Sequence, residues 1–179
     1  MPLKPAICGC VLGGYEDIPA MTPNAKPVPE GYHTVTPYLT VKGAAKAIDF
    51  YKRAFGAQQR GTLPMPDGRI GHAEIIIGNS IIMLADEFPE HGNKSPETLN
   101  GSPVGLAIYV ENVDEVFNRA VQAGATVKEA VSDKFWGDRA GSVTDPFGHK
   151  WTILTHKEEV SFEEMKKRMD KMFAGKECA

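Results

Sequence analysis

The chain writes one supersecondary pattern twice, and this duplication constrains its fold more than any other feature. The segment from Val41 to Ala57 holds a strand end, an amphipathic helix and a Gly-Ala stop, and the segment from Val110 to Ala125 repeats it. Further along, Gly71-His-Ala-Glu-Ile-Ile-Ile-Gly78 corresponds in place to Gly141-Ser-Val-Thr-Asp-Pro-Phe-Gly148, and each stretch leads into another apolar strand. Two βαβββ modules in tandem are expected. A unit this long present in two copies is a duplicated half-domain, because a solenoid needs about three or more stacked repeats to bury its faces.

At 179 residues with 42% apolar content, the chain suits one compact domain made of two halves. Its formal net charge of −3 offers no basic field for a phosphate backbone, so nucleic acid is not an expected partner. No apolar run approaches the ~20 residues needed to span a bilayer, so no membrane is expected either. Cys8, Cys10 and Cys178 have neither zinc-site nor disulfide-framework spacing, and a reducing cytoplasm is the expected location.

Residues 1–31 contain Pro2, Pro5, Pro19, Pro23, Pro27 and Pro29 and read as an N-terminal tail. The apolar run Ala6 to Gly14 follows Lys4 but is short and broken by glycines, unlike a signal peptide. Met21 is a candidate natural start, with residues 1–20 read from an upstream start; the domain pattern begins near Tyr32. The domain then covers 32–156, with modules at about 32–88 and 104–156, and residues 157–179 form a C-terminal helix and tail.

Strands are expected over Thr34–Val41, Gln58–Leu63, Gly71–Ile77 and Ser80–Ala85, with a helix over Ala44–Phe55 stopped by Gly56. A long loop over Asp86–Pro103 follows, and its Asp86, Glu87 and His91 read as a solvated charged stretch or a lid. The second module repeats the order with strands over Gly105–Val110, Thr126–Ala130, Phe135–Thr144 and Lys150–Thr155. Its helix is capped by Asn112 with Glu115 as reciprocal partner, and Ser161-Phe-Glu-Glu164 is a second capping box. That last helix carries Phe162, Met165, Met169, Met172 and Phe173 on one stripe, suited to docking on the domain or a dimer partner.

Taken together, the two modules, the helix end Ile48-Asp-Phe-Tyr-Lys-Arg-Ala-Phe-Gly56 and the turn Asp145-Pro-Phe-Gly-His149 resemble the vicinal oxygen chelate superfamily. That superfamily includes glyoxalase I, fosfomycin- and bleomycin-resistance proteins and extradiol dioxygenases. Thr36-Pro-Tyr-Leu39, Met65-Pro-Asp-Gly68, His72-Ala-Glu74, Met83-Leu-Ala-Asp-Glu-Phe-Pro89 and Phe135-Trp-Gly-Asp-Arg139 look like its PhnB-like branch. The resemblance implies an α+β fold in which the tandem modules curl a mixed sheet into a cup. It also implies a homodimer, as the family commonly pairs modules across chains.

In the superfamily's enzymes a divalent metal is held by one side chain from the first and last strand of each module. Those positions correspond here to Thr36, Ile82 or Met83, Gly105 and Thr152, none of which matches the imidazole and carboxylate donors that such metals take. The resemblance therefore implies no metal cofactor at this place and no lactoylglutathione lyase activity.

The remaining polar chemistry is concentrated. His72 and Glu74 are two apart on a strand and share a face, where they can serve as a general base with its orienter, as ligands of a displaced metal, or as a solvated or structural pair. Trp136, Asp138 and Arg139 are flanked by Gly137 and Gly141, which let a backbone approach closely. Arg139 can clamp an anionic group with Trp136 stacking on an apolar one, or Asp138 and Arg139 can pair with Trp136 plugging the core. Tyr38, Tyr109 and Trp151 are cup-lining or core aromatics, and His149 stabilises its turn. The leading expectation is a metal-independent protein that sequesters a small apolar or aromatic molecule. The alternatives are a lyase, isomerase or dioxygenase-type enzyme using His72 and Glu74, with or without a relocated metal, and a structural dimer.

Overall fold

Alternating exposed and buried side chains set the strands, and left-handed glycines end the two long domain helices, in a computed structural model that describes residues 25–174. The first module runs β1 (Tyr38–Val41), α1 (Ala44–Phe55), β2 (Gln58–Pro64), β3 (Ile70–Ile77) and β4 (Ser80–Asp86). A 3-10 turn at Pro89–His91 and the short helix α2 (Pro96–Leu99) occupy what the sequence presents as a plain loop. The second module repeats the first as β5 (Gly105–Tyr109), α3 (Val113–Ala123), β6 (Thr126–Asp133), β7 (Asp138–Thr144) and β8 (Lys150–His156), and α4 (Phe162–Phe173) follows. The expected α+β duplication is present, and the proposed start at Met21 lies outside the described residues.

The strand orders are β1-β4-β3-β2 and β5-β8-β7-β6, so each module keeps its own four-stranded mixed sheet. Within each, the first strand runs parallel to the last and the other neighbours are antiparallel. What unites the halves is the layer of helices: α1 packs on α3. Phe50, Tyr51, Phe55, Phe117, Phe147 and Trp151 belong to one apolar core shared by both modules. Asp145, only 4% exposed, clamps this core. It accepts from the Tyr51 hydroxyl at 2.8 Å, from the Trp151 indole at 2.9 Å, and from the backbone N–H groups of Phe147 and His149 at 2.9 Å.

The start of α1 has no capping side chain of its own at Gly43. Asp86 at the end of β4 supplies one instead, accepting from the N–H groups of Gly43 and Ala44 at 2.8 Å and of Ile70 at 2.7 Å. It is thus a buried structural anchor, not part of the solvated loop that the sequence suggests. Asn112 and Ser161 cap α3 and α4 as expected, accepting from the N–H groups of Glu115 and Glu164 at 3.2 Å. No residue of α4 is buried, and Phe162, Met169 and Met172 lie exposed on its stripe. Arg168 holds the helix through both oxygens of Glu158, at 2.8 and 2.9 Å. Among the described residues no helix is long and apolar enough to cross a membrane.

Candidate functional site

Each sheet presses one face on the helices and leaves the other open, and strand register decides which side chains reach the open face. In the first module Tyr38 pairs with Met83 and Met83 with Glu74, while Thr40 pairs with Ala85 and Leu63 with His72. Tyr38, Thr40, Met83, His72 and Glu74 therefore share the open face, and Leu39, Ala73, Ile75 and Leu84 face the core. In the second module the rows Tyr109–Leu154–Ala140, Ala107–Thr152–Ser142 and Asp138–His156 share the open face.

On the first sheet His72 sits in the middle of a hydrogen-bonded line. Its Nδ1 lies 3.1 Å from the Tyr38 hydroxyl and its Nε2 lies 3.3 Å from Glu74. Glu74 also accepts from the Tyr32 hydroxyl and, at 3.2 Å, from Arg60, whose guanidinium lies over the Tyr32 ring. The Tyr32 hydrogen bond, helped by His72 and Arg60, holds the Glu74 carboxyl below the usual carboxylate range, while the same carboxylate raises the Tyr32 phenol. The Glu74 carboxylate accepts from Nε2–H, and in that tautomer Nδ1 accepts from the Tyr38 hydroxyl. Both ring nitrogens are then engaged, so His72 can exchange a proton with a ligand only through the Tyr38 hydroxyl. Burial raises the Tyr38 phenol. Tyr38 is nonetheless 51% exposed and borders two pockets, of about 310 and 270 Å3. The first is also lined by Thr40, Asp86, Phe88 and Asn93, and the second by Thr40, Leu99 and His149.

On the second sheet the buried Asp138 accepts from the Trp136 indole at 2.9 Å, the Tyr109 hydroxyl at 3.2 Å and His156 Nδ1 at 2.8 Å. Trp136 and Asp138 meet here, and Tyr109 and His156 join them as partners that the sequence does not place with this pair. Asp138 and Arg139 neither pair nor share a face, because they are consecutive in β7. Arg139 points toward α3 and grips both oxygens of Asp114 at 2.8 Å, with Asp133 at 3.2 Å. That geometry removes it from the ligand-facing group and gives it a structural role. Gly137 and Gly141 likewise admit protein, not ligand: a Cβ at Gly137 would lie 2.2 Å from the Glu158 carbonyl, and one at Gly141 would lie 2.8 Å from Phe117. Trp151 is a core residue at 1% exposure, whereas Tyr109 is 66% exposed. His149 joins its turn to β1 through the Thr40 carbonyl at 3.1 Å. Glu87 of the intermodule segment accepts from Ser95 N–H and the Thr98 hydroxyl, which organises α2.

A cavity of about 730 Å3 lies between the β3–β4 turn, β5 and α3. Ile77, Ile82, Leu106, Ile108, Val116 and Arg119 line it, and of the candidate aromatic side chains it touches Tyr109 and Trp151. We place the site on the open sheet faces because the hydrogen-bonding chemistry is there.

The superfamily's metal does not fit this donor set. Register puts Met83, not Ile82, on the face with Tyr38, so the four positions hold Thr36, Met83, Gly105 and Thr152. The Thr36 hydroxyl already donates to the His33 carbonyl at 3.2 Å, and a thioether and a glycine are poor ligands for a hard or borderline divalent ion. Among the described residues no three His, Cys, Asp or Glu side chains gather closely enough to hold a metal ion elsewhere.

Two βαβββ modules back to back on shared helices, each with an open polar sheet face, define the class of paired βαβββ proteins. The chain belongs to the Glyoxalase/Bleomycin resistance protein/Dioxygenase superfamily, whose family model matches residues 32–153. It is 45% identical over 138 residues to an uncharacterised protein of Mycobacterium tuberculosis H37Rv, covering 75% of this chain and 81% of that one. Among solved structures, an Arabidopsis thaliana gene product, At5g48480, superposes with a TM-score of 0.56 at 26% identity, covering 68% of this chain and 98% of that one. TioX from Micromonospora sp. ML1 does so at 0.54 and 29% identity, covering 68% and 97%.

Proposed function

We propose that this protein is a PhnB-like member of its superfamily that binds a small molecule without a metal, working as a cytoplasmic homodimer. The observation that carries this reading is the exchange of chemistry on the open sheet faces. The metal-ligand positions hold Thr36, Met83, Gly105 and Thr152, while hydrogen-bonding aromatic side chains stand beside them. Tyr38 offers a polarised hydroxyl at the mouth of two small pockets, and its His72–Glu74 support holds that hydroxyl in one orientation. The homodimer follows from the helices being consumed in joining the two modules of one chain. The sheet faces are left with Tyr38, Leu63 and Tyr109 more than half exposed. A second copy covering those faces would turn two open sheets into a closed cup.

The test is elemental mass spectrometry of untagged protein before and after chelation and metal add-back, together with native mass spectrometry for retained ligand. Metal-free protein that retains a small molecule, lost on Tyr38→Phe, supports the reading; near-stoichiometric, reloadable metal overturns it.

A second reading is favoured by one observation, the line Tyr38–His72–Glu74. In it Tyr38 takes a proton from the ligand as its own passes to His72 Nδ1, with Glu74 accepting from Nε2–H and orienting the ring. Chemical turnover of the retained molecule that disappears in both Tyr38→Phe and Glu74→Gln would select this enzyme over the sequestering protein.

A further inference from the structure

The open face of the second sheet carries a recognition group that is rigid from behind and loosely occupied in front. Asp138 is buried at 4% exposure, with one oxygen on His156 Nδ1 and the other on Trp136 and Tyr109. Committing Nδ1–H to this carboxylate fixes the imidazole so that Nε2 faces outward. The backbone just beyond is pinned as well, because the N–H groups of Lys157 and Glu158 both donate to the Gly137 carbonyl, at 3.0 and 2.9 Å. Outward, Nε2 lies 3.2 Å from the carboxylate of Glu159, a side chain that is 97% exposed. An ion pair that open to water contributes little and exchanges readily.

We propose that His156 and Tyr109 form a recognition site for the carboxylate of a small aromatic acid, and that Glu159 occupies this site until such a ligand displaces it. The proposal deepens the reading of these faces as ligand-binding and rests on it, naming the class of molecule that the second module takes. Three observations converge on it. The outward nitrogen already holds a carboxylate in the geometry a ligand would use. The Tyr109 ring, 66% exposed beside it, supplies an apolar wall. The titratable groups facing His156 are Asp138 from β7 and Glu159 from the segment after β8, and together they favour the doubly protonated ring, which donates from Nε2.

Benzoate is the probe, with benzamide as its neutral counterpart, followed by the imidazole NMR resonances of His156 in the full chain. Benzoate is expected to shift them saturably and benzamide to leave them in place. Glu159→Gln removes the internal competitor, whose side chain is 97% exposed. It is expected to tighten benzoate by roughly two- to five-fold, the scale of relieving one exposed ion pair. His156→Gln, scored through the Tyr109 ring resonances, is expected to abolish saturable binding. Unchanged or weaker benzoate binding in Glu159→Gln overturns the proposal, as does benzamide binding equal to benzoate. If these responses fail while retained ligand still depends on Tyr38, the carboxylate site alone is removed; if they hold while that dependence fails, the Tyr38 reading alone is removed.

Discussion

His72 and His156 stand on equivalent open faces with opposite allocations of their nitrogens. His72 is closed on both sides by Tyr38 and Glu74, so its chemistry passes through a phenol. His156 is closed on one side by a buried acid and on the other by an exposed one. The hydrogen bond that His156 donates to Asp138, and then its contact with Glu159, raise the His156 pKa above its ordinary 6.5. A group whose folded pKa is raised stabilises the fold fully below its unfolded pKa, and that contribution is lost as pH rises through the folded value. The melting-temperature gap between the protein and His156→Gln is therefore expected to be widest near about pH 5.5 and to narrow as pH climbs beyond 6.5. Thermal unfolding across that range measures it, and a gap that widens with pH would mean that the ring is held neutral.

The turn leading into β7 governs how the second site is assembled. Gly137 has φ of +98°, and its carbonyl receives the two N–H groups that steer the chain from β8 toward α4. A side chain there meets the Glu158 backbone, so nothing flexible can yield. Gly137→Ala is expected to cost about 2–4 kcal/mol in urea unfolding and to expose the segment after His156 to limited proteolysis. A loss near the ~1 kcal/mol of the left-handed backbone alone would mean that the segment moves aside freely. The same stretch shows where sequence reasoning reached and stopped. Helix α1 is legible because a five-residue apolar stripe ends at a glycine, and His72 with Glu74 because period-two alternation puts them on one face. Placing Arg139 with Asp138 comes from extending the strand back to Phe135, across a turn, and from setting aside the alternation that separates neighbours. His156 lies one residue beyond the expected strand end, yet counting outward from the Asp145–Gly148 turn, Thr144 against Lys150, brings Asp138 opposite His156. Asp86 as the cap of α1 has no such local signal, since its partners come from elements far away in sequence.

At the scale of the whole molecule, the two halves are one folding unit because their helices and aromatic side chains share a core, with Asp145 as its polar centre. Four donors converge on this carboxylate, and one of them, the fully buried Tyr51 hydroxyl, comes from the other module. Burial, and then the Asp145 charge, push the Tyr51 phenol well above its ordinary pKa, so it remains a donor throughout the physiological range. Asp145→Ala leaves the Tyr51 hydroxyl, the Trp151 indole and two backbone N–H groups without their acceptor and is expected to cost about 3–5 kcal/mol. Tyr51→Phe removes one donor and leaves three, so a loss nearer 1–2 kcal/mol is expected, roughly that of one hydrogen bond to a charged group. Unfolding followed both by tryptophan fluorescence, which reports Trp151 in the core and Trp136 on the second sheet, and by far-ultraviolet circular dichroism is expected to show one coincident transition in each variant. Two separated transitions in Asp145→Ala would mean that each βαβββ module is stable alone and that the shared helical core is an interface between finished domains.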